Sequence, residues 1–185
     1  MEYKDLKPSE NNYNFNINVL EKVWLEKLKI PFSTKSMFKV LSGAKGFGKM
    51  YLICLLAWFF TVNFLDYNVQ LAKYTFASAK DSYYSTMTKV INDLVNHGVT
   101  INEAVEAKAI KSFNSENRCE WVFDNRRVIR VIGFDNTSKW EGVPTTIGKW
   151  GMFAIDEVIP VKDTIIDEEA YLYQLFNIVI QIVRE

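Results

Sequence analysis

Residues 43–50 carry a pattern that could bind phosphate. They read GAKGFGKM and fit the spacing G-x-x-x-x-G-K. Glycine lets the backbone curl so that consecutive N–H groups surround an anion, and a helix that follows adds the partial positive charge of its N-terminus. Lys49 would contact the β- and γ-phosphates of a nucleotide. The candidate nucleotide-binding residues are therefore Gly43, Ala44, Lys45, Gly46, Phe47, Gly48, Lys49 and Met50.

The position after Lys49 departs from this pattern. A Ser or Thr there would give Mg²⁺ a hydroxyl ligand, whereas Met50 offers only a thioether, which is a poor ligand for a hard cation. A glycine-rich turn without any ligand is the alternative interpretation. Three glycines and a lysine at this spacing are more than such a turn requires, so the sequence favours a phosphate site.

A pair of acids, Asp156 and Glu157, ends the apolar run MFAI. In P-loop ATPases an Asp in this position holds the magnesium shell, and the following Glu polarises the attacking water. The pattern alone is equally typical of a solvated strand end, but the upstream loop favours the functional interpretation. We therefore predict ATP and Mg²⁺ as cofactors, Asp156 as the metal residue, and Glu157 and Lys49 as the catalytic residues.

Alternating strands and helices would position these two motifs. In chain order, periodicity and turn residues predict a helix at 18–28, a strand at 37–42, a helix from Lys49, a strand at 69–77, a helix from Asp81 or Ser82, two strands around a hairpin at Asp124 and Asn125, a strand at 150–157 and a helix at 167–184. This order predicts an α/β P-loop NTPase fold, with a mainly parallel β-sheet flanked by helices in three layers. Ligands of such sheets bind beyond the carboxyl ends of the strands, where both motifs fall.

The composition is that of an average globular chain. Of 185 residues, 49% are hydrophobic, and 22 Lys and Arg balance 22 Asp and Glu, so there is no global electrostatic sign of nucleic-acid binding. One histidine and two cysteines argue against a zinc site, and Cys54 and Cys119 are predicted to be buried thiols in a reducing compartment. The apolar run at 51–65 is shorter than a membrane span, and residues 1–16 lack the apolar region of a secretory signal.

Two domain-level segments are expected. Residues 1–28 would form a mobile N-terminal arm and a helix, and residues 29–185 a P-loop ATPase domain without a nuclease domain.

Arg126, Arg127 and Arg130 cluster near the predicted hairpin. They could contact DNA phosphates or reach the ATP of a neighbouring subunit, but solvated strand positions are the favoured interpretation.

A third string joins the two motifs into a pattern that resembles a known family. RVIRVIGFDNTSKWEG at 127–142 is followed shortly by IGKWGMFAIDE, and with FKVLSGAKGFGK this order is similar to the large subunit of phage terminase. Phe134, Asp135 and Asn136 match the family's Leu-Asp-Asp, Lys139 and Gly142 its Lys and Gly, and Ser82 or Ser85 its helix serine. The resemblance spans about residues 29–185.

The resemblance implies an ATPase that moves double-stranded DNA into a procapsid in the cytoplasm of a bacterial host. It implies a portal protein and a small terminase subunit as partners, a homo-oligomeric ring and no membrane association. Lys45 stands where the family often has a phosphate-binding Arg. Because of Met50 and Phe47, a nucleotide-binding or assembly module without turnover, or another helicase-like P-loop motor, stays open as an alternative. The family's nuclease domain and coupling motif are absent from these residues, so a fragment or split gene product is expected.

Overall fold

The computed structural model describes residues 13–15, 17–23, 46, 48–64, 66–101, 119–123, 126–134, 145, 147–156, 172–173 and 176–177. Its elements in chain order are α1 (Ile17–Val23), α2 (Lys49–Asn63), β1 (Tyr67–Lys73), α3 (Phe76–Asn96), β2 (Cys119–Val122), β3 (Val128–Gly133) and β4 (Lys149–Ile155). The predicted α/β class is confirmed. The predicted strand at 37–42 lies outside the described residues.

Strand β1 lies inside a four-stranded sheet of order β2-β3-β1-β4. It pairs in parallel with β3, where Val69 is opposite Ile129, and with β4, where Val69 is opposite Met152. Strand β2 pairs with β3 in antiparallel orientation. The sheet is therefore mixed. Because three parallel strands end on the same side, the carboxyl ends of β1, β3 and β4 form one edge of the sheet.

Helix α2 is apolar on all sides because it is enclosed on all sides. Every residue from Leu52 to Phe59 is buried, which explains why this run lacks a polar face. The helix ends at Asn63, whose side-chain amide donates to the carbonyls of Phe59 and Phe15 at 2.9 Å each. In the part of the chain that the structure describes, no helix is long and apolar enough to cross a membrane.

Helix α3 begins earlier than the sequence indicated. Its N-cap is Thr75, whose hydroxyl accepts a hydrogen bond from the Ser78 N–H at 3.3 Å. The predicted start at Asp81 or Ser82 and the predicted strand end at residue 77 are therefore wrong, because the chain turns into the helix directly after Lys73. The buried stripe follows helical spacing, and it consists of Ala79, Tyr83, Met87, Val90 and Leu94.

One face of the sheet carries the main core. The inward residues of β1, β2 and β3 alternate along each strand and pack against α2 and α3. Tyr13 and Phe15 are buried in the same core, so the predicted mobile arm is wrong for these residues. Helices α1, α2 and α3 all contribute to this core, and none of the three supplies the third layer that the sequence predicted. The predicted domain boundary between residues 28 and 29 lies outside the described residues.

The hairpin between β2 and β3 is confirmed by its flanking hydrogen bonds. Phe123 N–H donates to the Arg127 carbonyl at 2.9 Å, and Arg126 N–H donates back to the Phe123 carbonyl at 2.9 Å. The turn residues themselves lie outside the described part. Of the helix predicted at 167–184, residues 172–173 and 176–177 belong to the described part of the chain and are helical, and Phe176 is 46% exposed.

We expect Gly133→Ala to destabilise the fold. A Cβ at Gly133 would lie 2.9 Å from both the Phe76 Cα and the Thr75 carbonyl carbon, so the start of α3 would have to shift away from the end of β3. Overpacking of this kind costs about 1–3 kcal/mol of unfolding free energy, which urea denaturation would measure. Gly98→Asn is the control: this left-handed position has no described atom within 4 Å of its Cβ, and Asn tolerates that conformation. An unchanged Gly133→Ala midpoint would contradict the close packing.

Candidate functional site

The start of α2 is formed by glycines in the left-handed region. Gly46 has φ 87° and Gly48 has φ 79°, and Gly48 is the N-cap. Its carbonyl accepts the first helical hydrogen bond from Leu52 N–H at 2.9 Å. Gly48 has no side chain that could cap this helix end, and the first turn of α2 contains no acidic residue.

Open space adjoins both of these glycines. A Cβ at Gly46 or Gly48 would meet no described atom within 4 Å, so an anion could approach the backbone closely there. Lys49, the first residue of α2, is half-buried beside them, as is Met50. The remaining predicted loop residues, which are Gly43, Ala44, Lys45 and Phe47, lie outside the described part of the chain.

Asp156 lies at the carboxyl end of β4, as the sequence predicted. Its N–H donates to the Ala72 carbonyl at 3.0 Å, which continues the pairing of β4 with β1 by one residue. Its carboxylate forms an ion pair with Lys73, the last residue of β1, with 3.0 Å between Oδ2 and Nζ. The lysine side chain is 7% exposed and the aspartate side chain 20% exposed. Glu157 lies outside the described residues.

The charge of Asp156 also reaches α2. Burial raises the pKa of the Cys54 thiol, and the negative charge of Asp156 raises it further. Cys54 is five residues into α2 after Lys49, so it lies about 8 Å along the helix from it. Both cysteines are confirmed as buried free thiols, and burial also raises the pKa of Cys119, to about 12.

The edge of the sheet is held together at the end of β1. Tyr83 of α3 donates its hydroxyl hydrogen bond to the Ala72 carbonyl at 3.1 Å. Phe134, the residue after β3, donates its N–H to the Lys73 carbonyl at 3.0 Å. Hydrogen bonds from α3 and from the end of β3 therefore hold the backbone around Lys73, and its ammonium group contacts Asp156 after β4. The sequence analysis missed Lys73, because no local pattern marks a strand lysine whose partner comes from a later strand.

The residues of the site fit phosphate better than they fit Mg²⁺. The glycine conformations, the open space and Lys49 suit the terminal phosphates of ATP. For the metal, Met50 lacks the hydroxyl, and Lys73 already neutralises Asp156. Among the described residues there is no group of three or more His, Cys, Asp or Glu that could hold a metal ion. No complete magnesium site is formed by the described residues alone, and because Glu157 lies outside them the magnesium site stays a prediction.

The structure does not distinguish Ser82 from Ser85 as the candidate helix serine. Both lie on α3 beyond its first turn, and Ser85 donates its hydroxyl to the Ser82 carbonyl at 3.1 Å on the helix surface. Of the family-like string, Phe134 is buried against Tyr74 with 5.7 Å between ring centroids. The other positions of that string, Asp135, Asn136, Lys139 and Gly142, lie outside the described residues.

Two of the three clustered arginines have structural partners. Arg127 is 2% exposed and donates from Nη1 to the Phe64 carbonyl at 2.7 Å, at the C-terminus of α2. Arg130 pairs with Glu120, with 2.9 Å between Nε and Oε2. Solvated positions were favoured from the sequence, and that expectation is wrong for both. Arg126 is exposed at the hairpin with φ 65°.

Comparison of the chain with models of protein families, with curated proteins and with solved structures gave no match. The functional interpretation of the site therefore depends on its own residues: the glycines at the start of α2, Lys49, and the pair that Lys73 forms with Asp156.

We expect the Lys73–Asp156 pair to be coupled energetically. Lys73→Met leaves a mostly buried carboxylate without its cation, and such losses cost about 3–5 kcal/mol of unfolding free energy. Asp156→Asn removes the carboxylate charge that Lys73→Met leaves unpaired. The double variant Lys73→Met/Asp156→Asn should therefore be more stable than Lys73→Met alone. Urea denaturation of the four proteins measures the coupling. Lys149→Met, an exposed lysine of β4, is the control and should change stability by no more than about 0.5 kcal/mol; strictly additive effects would contradict the pairing.

Proposed function

We propose that this chain is a P-loop ATPase domain of the terminase large-subunit type, which binds ATP at the start of α2 and uses its hydrolysis to move double-stranded DNA. The observation that supports it most directly is the start of α2, where two left-handed glycines precede Lys49 without a side-chain cap. A helix start of this kind binds anions through backbone N–H groups and the helix dipole.

The position of Asp156 supports the same proposal. P-loop ATPases carry an acidic residue at the carboxyl end of a strand near the phosphate loop. Asp156 follows β4 in this way, and its charge acts on Cys54 of α2. Ligands of α/β sheets bind beyond the same edge. The parallel ends of β1, β3 and β4 would thus lie beside the bound phosphates.

Each residue has a separate task in this proposal. Bound ATP would supply the phosphoanhydride whose hydrolysis drives the motor. Lys49 would neutralise phosphate charge as a compact ammonium, the backbone at Gly46 and Gly48 would surround the anion, and Glu157 would accept a proton from the attacking water. Asp156 would be the residue that holds Mg²⁺, although Met50 lacks the hydroxyl that usually completes such a site.

The DNA-packaging part of the proposal depends on the order of the motifs. Lys49 begins a helix, a strand and a second helix follow, and Asp156 ends a later strand, which is the order in the terminase large subunit. Double-stranded DNA, a portal protein, a small terminase subunit and a ring of copies are the partners that this resemblance implies. Stimulation of ATP turnover by double-stranded DNA, but not by an equal mass of single-stranded DNA, is the corresponding test.

A second candidate function is an ATP-binding or assembly module without turnover. The Lys73–Asp156 ion pair favours it, since the aspartate expected to act through a metal already has a cation 3.0 Å away. Met50 favours it too, because it removes the metal-binding hydroxyl. The two candidates share the binding site and differ in turnover alone.

We expect Lys49→Ala to weaken ATP binding by at least about tenfold, because loss of a charge that contacts phosphate costs more than about 1.4 kcal/mol. Isothermal titration calorimetry with ATP measures the affinity. Lys89→Ala, an exposed lysine on α3, is the matched control and should bind like the native chain. Equal affinities of Lys49→Ala and Lys89→Ala would refute the phosphate site.

Turnover separates the two candidates. If the chain is an ATPase, Glu157→Ala should keep the native ATP affinity and lose turnover by about 10²-fold or more, which is the range of general acid–base contributions. Release of inorganic phosphate in the presence of Mg²⁺ measures it. Met50→Thr should raise turnover if the missing hydroxyl limits a competent site. Native binding with no phosphate release, unchanged by Met50→Thr, would leave the binding module as the function.

A further inference from the structure

Tyr51 joins the start of α2 to the end of α3. Its hydroxyl donates a hydrogen bond to the Asp93 carboxylate, with 2.7 Å between Oη and Oδ2. The two residues are 42 positions apart in sequence, and both are half-buried. Hydrogen bonds from a hydroxyl to a carboxylate are short and about twice as strong as those between neutral groups. This contact therefore links the two helices at one defined point.

Both partners of this hydrogen bond are held in place by their surroundings. Tyr51 packs against the main core, and Asp93 lies in the last turn of α3, where its carbonyl accepts the His97 N–H at 3.1 Å. Burial raises the pKa of the Tyr51 phenol, and the hydrogen bond to Asp93 raises it further. Tyr51 therefore keeps its proton at neutral pH and remains a donor.

Tyr51 belongs to the turn of α2 that would contact phosphate. The first helical hydrogen bond of α2 runs from the Leu52 N–H to the Gly48 carbonyl at 2.9 Å. Met50 and Tyr51 precede Leu52, and N–H groups at these positions have no acceptor within their own helix. Such N–H groups are the donors with which a helix start binds an anion. The side chain of Tyr51 thus holds the backbone that carries these donors.

The first turn of α2 has less packing around it than the rest of the helix. Residues 49–51 are half-buried, whereas residues 52–59 are buried. Asn63 and Arg127 form hydrogen bonds that hold the opposite, C-terminal end. Segments with fewer buried contacts open more readily than the core does. A polar contact at Tyr51 therefore has its largest effect on the order of the first turn.

We infer that Tyr51 is a positioning residue of the phosphate site: its hydrogen bond to Asp93 holds the first turn of α2 so that the backbone N–H groups of that turn are ordered before ATP binds. The inference rests on the proposed ATP site. The side chain acts through the backbone of α2 and not on the nucleotide. Donors that are already ordered spare the ligand the entropy cost of ordering them, so ATP binds more tightly when the link is present.

Removal of the Tyr51 hydroxyl tests the inference. By isothermal titration calorimetry, Tyr51→Phe should bind ATP at least about threefold more weakly than the native chain. Amide hydrogen exchange at Leu52 should become faster by a similar factor, because its hydrogen bond to Gly48 opens more often. Thr61→Val is the matched control, since it removes a hydroxyl that donates to the Ala57 carbonyl at 2.8 Å in the other half of α2. It should leave both quantities at their native values.

Variants of Asp93 test the same link from α3. Asp93→Asn keeps an acceptor oxygen and should bind ATP within about twofold of the native chain, whereas Asp93→Ala should bind as weakly as Tyr51→Phe. The double variant Tyr51→Phe/Asp93→Ala should bind no more weakly than either single variant, because all three lack the same hydrogen bond. Tighter ATP binding by both Asp93→Asn and Asp93→Ala would show charge repulsion instead and would overturn the inference.

The outcomes distinguish this inference from the proposed function. Native ATP affinity in Tyr51→Phe would overturn the inference and leave the ATP site intact. Absence of ATP binding by the native chain would overturn both. If Tyr51→Phe fails to fold, the two Asp93 variants still decide, because weak binding by Asp93→Ala with native-like binding by Asp93→Asn is required.

Discussion

The carboxyl end of β1 is the point on which the candidate site depends. The Ala72 carbonyl accepts hydrogen bonds from Tyr83 of α3 and from Asp156 after β4, and the Lys73 carbonyl accepts one from Phe134 after β3. These backbone contacts bring the ends of three parallel strands and one helix together. The Lys73–Asp156 ion pair then closes the edge with side chains. Displacing this strand end would separate Asp156 from Lys73.

The enclosed helix α2 begins at the end of the proposed phosphate loop and packs against the same sheet. Because its residues from Leu52 to Phe59 are all buried, α2 cannot rotate or slide without loss of packing. Its C-terminus is held by Arg127, which donates to the Phe64 carbonyl. A helix fixed at one end and along its length presents its other end, at Gly48 and Lys49, in a constant position. That rigidity suits a site that binds by preorganised backbone groups.

Much of the fold could be predicted from local patterns. The start of α2 at Lys49 follows from glycines before an apolar run, and the β2–β3 hairpin follows from turn residues between two apolar strands. The start of α3 could not be placed from the sequence. Thr75 is the N-cap because β1 ends at Lys73, and the pairing of β1 with β3 and β4 determines where β1 ends. The sheet is mixed because β2 pairs with β3 in antiparallel orientation. Hydrophobic periodicity does not specify which strands pair or in which direction.

The candidate site was also predictable only where its residues have local sequence patterns. Spacing alone made Lys49 and Asp156 candidates, because phosphate loops and acidic strand ends have local signatures. Lys73 has no such signature: its role arises from the neighbouring positions of β1 and β4 in the sheet. Arg127 and Arg130 were misjudged because charged strand residues usually face water, whereas here each has a partner contributed by another element. Contacts between distant segments therefore account for most of the errors.

The central claim is that ATP phosphates bind at the backbone that begins α2. Amide ¹H–¹⁵N NMR of the labelled chain during titration with ATP tests it most directly. We expect the amide signals of Gly46, Gly48 and Lys49 to shift most. If ATP leaves these amides unchanged, or shifts a different surface most strongly, the claim is contradicted.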